Sequence, residues 1–220
     1  MLGDAAGARR GTTIDSLLNA VWEGTDALGP YAGAFPADKV DWSKVLVADR
    51  LVVMIHARVA TYGPDYDFDV ACQNAVCRKA IPWSVNLLTD IPVKAFPAWA
   101  LEAFSSGNRL VTDVDGVKYT FRLLTGKEER AANPRPDKLL LDALSARILE
   151  IQGVEGNDRI RAIDDFDLST AQALIEKFDD ADGGVETTLD VECPFCQSRV
   201  TVQLPFGREF YLPRKRRTKV

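Results

Sequence analysis

The chain has little of what most enzymes use. Among 220 residues there is one histidine, His56, and only four cysteines. His56 stands inside an apolar stretch, where a lone imidazole is read as a satisfied, partly buried side chain and not as a base or ligand. No nucleophile motif accompanies it, which leaves a Ser-His-Asp set without its attacking group. Gly126-Lys127 resembles the close of a phosphate loop, but the position of the required earlier glycine holds Phe121. "DDADGG" fails as a calcium loop because oxygen ligands do not recur at alternate positions and no glutamate closes it. Asp164, Asp165 and Asp167 read as the polar approach to a capped helix, not an acid–base pair. The expectation is a protein without enzymatic activity and without a small-molecule substrate.

Long apolar runs are also missing. No segment approaches the roughly 18 uninterrupted apolar residues of a membrane span. The opening "MLGDAAGARRGTTIDSLL" has neither the apolar run nor the cleavage site of a signal peptide. These two absences lead to the expectation of a soluble, intracellular chain whose cysteines are thiols or metal ligands, not disulfides. A formal net charge of −5 argues against general nucleic-acid binding. Positive charge is concentrated in the closing "PRKRRTKV", read as a basic tail over 213–220.

What is present reads as an α+β chain. Residues 14–23 predict a short amphipathic helix with Ile14, Leu17, Leu18 and Val21 inward. Residues 44–60 predict a mostly buried helix closed by Gly63 and Pro64. "RLVTDVDGVKYTFRLL" predicts a hairpin turning at Asp115-Gly116. "TGKEERAANPRPDK" reads as a polar linker into a helix over 137–151, with Leu140, Leu141, Leu144, Ile148 and Ile151 on one side. A further helix over about 170–179 is expected to start in a capping box at Ser169 and Gln172 and to stop before Gly183-Gly184. The domain reading is an N-terminal helical arm over 1–40, one α+β domain over 41–212 with a helical insertion at 134–182, and the tail. The aromatics Phe206, Phe210 and Tyr211 read either as packing or as a docking surface beside the basic strip.

Two segments carry the chemistry. In "LDVECPFCQSRVTVQLP", Leu189 and Val191 alternate before Cys193, and Val200, Val202 and Leu204 alternate after Cys196. In "DYDFDVACQNAVCRKA", Tyr66, Phe68 and Val70 alternate before Cys72 and Cys77. Each is a strand, a cysteine knuckle and a returning strand, a weak internal repeat. The C-x₄-C and C-x₂-C spacings both suit structural zinc, and four thiolates from two hairpins close a tetrahedron. Cys72, Cys77, Cys193 and Cys196 are therefore expected to bind zinc as a split zinc ribbon. The competing readings are a redox pair at Cys193-Pro194-Phe195-Cys196, or a metal-handling role for it, and unligated buried thiols. A redox pair would want its first cysteine at a helix N-terminus, whereas "QSRVTVQLP" continues as a strand.

"WSKVLVADRLVVMIHARVATYGPDYDFDVAC", followed by "FRLLTGKEE" and "VECPFCQSRVTVQLP", resembles the baseplate hub assembly proteins of T-even-like contractile-tail phages. The likeness covers roughly residues 40 to 212. One departure is plain: the family's first knuckle is commonly C-P-x-C, and here it is "CQNAVC". The resemblance implies a non-enzymatic part or assembly factor of the baseplate hub, assembled in the host cytoplasm and located in the virion. Its partners would be other baseplate and tail hub proteins. It also implies paired zinc knuckles at Cys72, Cys77, Cys193 and Cys196.

Overall fold

The computed structural model describes residues 13–132 and 135–211. Its helices are α1 (Thr13–Val21), α2 (Val47–Tyr62), α3 (Ala98–Ser105), α4 (Gly126–Ala131), α5 (Leu139–Arg147), α6 (Arg159–Asp164), α7 (Leu168–Ala181) and α8 (Arg208–Tyr211). Its principal strands are β1 (Asp65–Ala71), β2 (Ala80–Asn86), β3 (Leu110–Val114), β4 (Val117–Phe121), β5 (Ile148–Ile151), β6 (Thr188–Glu192) and β7 (Arg199–Gln203). All are in small antiparallel sheets, so the class is α+β. The chain divides into two compact units. The larger holds the chain up to Leu51 and Ala95–Gly184; the smaller holds Val52–Lys94 and the chain from Val185. The basic run expected as a tail lies outside the described residues.

In the larger unit the predicted hairpin forms. Asp115 and Gly116 both take positive φ, 53° and 80°, the turn that matches the twist of two right-handed strands. The Asp113 carboxylate accepts from the Gly116 N–H. β5 adds to β4, giving the order β3-β4-β5. One face of this sheet, with Leu110, Val114, Tyr119, Phe121, Ile148 and Ile151, packs against Ala100, Leu144, Ile163 and the α7 stripe Ala171, Leu174, Phe178 and Ala181. That stripe repeats at three and four residues, the period of a helix with one buried face. The insertion expected over 134–182 falls within this unit. So does α1, where Leu18 is fully buried and Asp15 pairs with Arg50. Val21, expected inward, is exposed.

Three expected elements differ. The helix read over 137–151 ends at Arg147, and Ile148–Ile151 is a strand, with Tyr119 opposite Ile151 and Phe121 opposite Ile148. The free edge of β4 offers backbone partners that outweigh continuation of the helix, and both arrangements bury the two isoleucines. The polar stretch after Leu124 contains helix α4 with a capping box: the Glu128 carboxylate accepts from the Thr125 N–H, and Thr125 Oγ1 accepts from the Lys127 N–H. The box expected at Ser169 and Gln172 does not form. Asp167 caps α7 instead, accepting from the Thr170 N–H at 2.7 Å, and the helix begins at Leu168.

The smaller unit is two hairpins and their supports. β1 pairs with β2 in register from Asp65 opposite Asn86 to Ala71 opposite Ala80. β6 pairs with β7 from Thr188 opposite Gln203 to Glu192 opposite Arg199. Their inward residues Val70, Ile81, Val191 and Val200 form one apolar cluster with Cys72 and Cys193, flanked by Phe68, Trp83 and Val202. Of the C-terminal aromatics, Phe210 is core packing, while Phe206 and Tyr211 are half-buried against it. Phe210 is fully buried, with its ring 5.1 Å from Tyr66 and 5.0 Å from Phe206. Arg58 lies among these rings, 5.1 Å from that of Tyr66 and 5.5 Å from that of Phe210, and donates to the Gly63 and Asp65 carbonyls. Attraction to the aromatic quadrupoles offsets part of the hydration that the guanidinium loses here.

Candidate metal centre

The two hairpins end in cysteine loops of one design. Past β1, the Cys72 N–H donates to the Lys79 carbonyl at 2.9 Å; past β6, the Cys193 N–H donates to the Ser198 carbonyl at 2.9 Å. Each bond closes the knuckle like one more rung of its ladder. In both loops the residue following the second cysteine is left-handed: Arg78 at φ 46° and Gln197 at φ 58°. The weak sequence repeat is therefore a repeat of backbone conformation. The first loop spans 79 − 72 = 7 positions and the second 198 − 193 = 5, so the longer cysteine spacing is taken up inside the loop. There Asn74 organises the turn, its side chain accepting from the Val76 N–H and its carbonyl from the Cys77 N–H.

All four expected cysteines come together. Their Sγ atoms lie within 4.8 Å of one another. Cys72 and Cys196 are 3.7 Å apart, Cys77 and Cys193 3.8 Å. The first cysteine of each knuckle faces the second of the other, an approximate two-fold exchange. These distances are far beyond the roughly 2.05 Å of a disulfide, and all four thiols are free. Such a cluster can hold a metal ion. Cys72 and Cys193 are buried, while Cys77 and Cys196 are half-buried.

Side chains around the cluster tie the knuckles together. Asn74 Nδ2 donates to Ser198 Oγ at 3.1 Å, and Ser198 Oγ lies 3.4 Å from Cys196 Sγ. Gln73 Nε2 reaches the Thr201 carbonyl. The thiols are not equivalent. Hydrogen bonds from the Ser198 side chain and backbone, helped by Cys193 and Cys72, bring the Cys196 thiol down to about 6. At Cys72 a hydrogen bond from the Asn74 backbone favours the thiolate, but burial and the neighbouring thiols outweigh it and push the group up to about 12. One thiolate thus forms readily while its neighbour keeps a proton, which a bound cation would displace. Ser198, Asn74 and the two left-handed residues carry no signal in the sequence, since neither Arg78 nor Gln197 is the glycine that usually marks such a turn.

The other candidates disperse. His56 is exposed on α2, not partly buried as its apolar neighbours suggested. Asp164 accepts from Arg135 and Lys138, and Asp167 is the α7 cap. Gly126 is buried against Arg50 and Trp42, whose atoms fill the space beside its Cα. A groove of about 440 Å³ runs beside β4 and β5, lined by Lys118, Glu150, Gln152 and Arg159 among others. Three of its polar side chains have partners: Glu150 with Arg109, Gln152 with the Lys118 N–H, Arg159 with the Ile148 carbonyl. Comparison with protein-family models, curated proteins and solved structures finds no match for the chain.

Proposed function

We propose that this chain is a structural or assembly protein of a contractile phage tail baseplate, with one zinc ion clipping its two hairpins into a split zinc ribbon. The spacing of the four sulfurs carries the zinc reading. A tetrahedral ion with Zn–S bonds of about 2.3 Å sets its ligands about 3.8 Å apart. Two of the Sγ separations are 3.7 and 3.8 Å. An all-thiolate site leaves zinc no coordination position for water, which suits a clip and not a catalyst. The baseplate role is supported by the sequence resemblance, and the partners it proposes are other hub and tail proteins. The redox reading of Cys193 and Cys196 is the weaker one, because a strand, β7, follows the knuckle and Cys193, the first cysteine of the pair, has no helix N-terminus to activate it.

Elemental analysis of protein purified without chelator should find one zinc per chain, and Cys193→Ser should lose the metal and the fold of the smaller unit. Structural zinc contributes apparent binding free energies of about 10 kcal/mol or more in small domains. Metal-free protein with native hairpins would refute the clip; iron in place of zinc would keep the clip and correct the metal. The baseplate role is tested separately by mass spectrometry of purified virions and of assembly intermediates. Stoichiometric peptides in virions indicate a permanent part, and peptides confined to intermediates indicate an assembly factor. Absence from both rejects the role.

A further inference from the structure

We infer that the two knuckle tips together form a docking surface for a protein segment that carries an apolar anchor among carboxylates. The inference rests on the metal-clipped reading and adds to it a surface and the chemistry of its partner.

Each knuckle places an apolar side chain in solvent between its cysteines. Val76 is 96% exposed and Phe195 is 54% exposed. Neither is needed to close its loop, because the closing bonds run through the Cys72, Lys79, Cys193 and Ser198 backbones. Their cysteines lie in one cluster, so both tips belong to the same end of the smaller unit and are held by the same ligands. Apolar side chains fixed in advance lose little conformational freedom on binding, which is what makes a small contact effective.

The charge around them selects the partner. Arg78, Lys79 and Arg199 are exposed at this end, against Glu192 and, two residues further from the knuckle along β6, Asp190, in a chain whose net charge is −5. Lys79 Nζ stands 4.4 Å from the centroid of the Phe195 ring, so cation and anchor are presented together. A cationic rim about an apolar centre complements an apolar residue flanked by aspartate or glutamate. The chain's own basic C-terminal run has the same sign as the rim and is an unsuitable occupant. Nucleic acid fits less well. It would need a longer cationic track and free stacking faces. Lys79 covers one face of Phe195, and Val76 has no face to offer.

The test uses full-length, metal-loaded protein labelled for NMR. The probes are a synthetic peptide with one leucine among glutamates, the same peptide with lysines for the glutamates or serine for the leucine, and a short oligothymidylate. The acidic leucine peptide should shift the amides of Val76, Arg78, Lys79 and Phe195. Phe195→Ser, Val76→Ser or Lys79→Glu should weaken it about tenfold, the loss expected of a hot-spot residue. The altered peptides should bind less by a similar factor, and added salt should weaken the acidic one. Metal content is measured on every variant, so loss of the clip is told apart from loss of the surface. Metal-loaded protein that ignores the acidic peptide, or binds it equally well after Phe195→Ser and Val76→Ser, overturns the inference. Tighter binding of oligothymidylate that fails in the same variants replaces it with a nucleic-acid surface.

Discussion

Replacing Gly126 by alanine puts one methyl group where the larger unit has no room. A Cβ at this position would lie 2.0 Å from Arg50 Nη1 and 2.3 Å from the Trp42 carbonyl oxygen. Arg50 cannot swing aside cheaply. It is 1% exposed, its Nη1 donates to Asp15 and to the Trp42 carbonyl, each at 2.6 Å, and its Nη2 lies 2.9 Å from Glu129. Ordinary contact between carbon and nitrogen begins near 3.5 Å, so the guanidinium must retreat by about 1.5 Å. Both 2.6 Å bonds are then lost. Breaking a buried ion pair costs about 3–5 kcal/mol, and alanine recovers at most about 1 kcal/mol of helix propensity at the start of α4. A net loss of about 2–4 kcal/mol corresponds to a fall in Tm of about 4–16 °C for a chain of this size. Guanidinium denaturation followed by far-UV circular dichroism reads the change. Gly24→Ala is the control, since nothing lies within 4 Å of its added Cβ. A Gly126→Ala midpoint within about 1 kcal/mol of the parent would show that Arg50 is not held as described.

Other outcomes follow from the same geometry. Hydrogen bonds from the Arg135 side chain, joined at Asp164 by Lys138, hold the Asp142 and Asp164 carboxyls below the usual range. Their folded pKa values are depressed, so their contribution is present above about pH 4 and fades as pH falls further. Arg135→Gln should flatten this acid limb in a series of unfolding midpoints, and an unchanged limb would exclude the network as its source. His56→Gln, at an exposed position, should change stability by no more than about 0.5 kcal/mol and leave metal content intact. Chelation should expose the smaller unit to protease first, with early cuts in 65–86 and 188–203, because the larger unit has its own apolar cluster. Cleavage that begins in α7 would contradict this order.

The cysteine cluster was legible because its two halves state themselves twice, each as alternating residues, a short cysteine spacing and alternating residues again. The Asp115-Gly116 hairpin was legible for a similar reason: the turn chemistry and the strand period agree. Ile148 and Ile151 were not, since they continue the apolar stripe of Leu140, Leu141 and Leu144 at helical spacing. Only the open edge of β4, a tertiary fact, makes them a strand. The true capping box at Thr125 and Glu128 lay in a stretch whose polarity and prolines read as a linker. At the start of α7, Asp167 stands two residues ahead of the Ser169 that looked like the cap, and its carboxylate takes the Thr170 N–H first. Arg50 was read as part of an apolar helix. Its partners, Asp15 and Glu129, come from distant positions that no local pattern connects.

The wide separation of the two knuckles has a consequence during synthesis. Cys77 and Cys193 are 116 residues apart. At roughly 5–20 residues per second, a ribosome takes roughly 6–23 s to travel between them. Through that interval the nascent chain carries two thiols and no partner hairpin to complete a four-sulfur cage. The last residue of the larger unit, Gly184, is added before Cys193. The larger unit thus has its whole sequence while the smaller still has only half of its cysteine cluster. A nascent chain arrested at Gly184 would contain every residue of one unit and only half the ligands of the other.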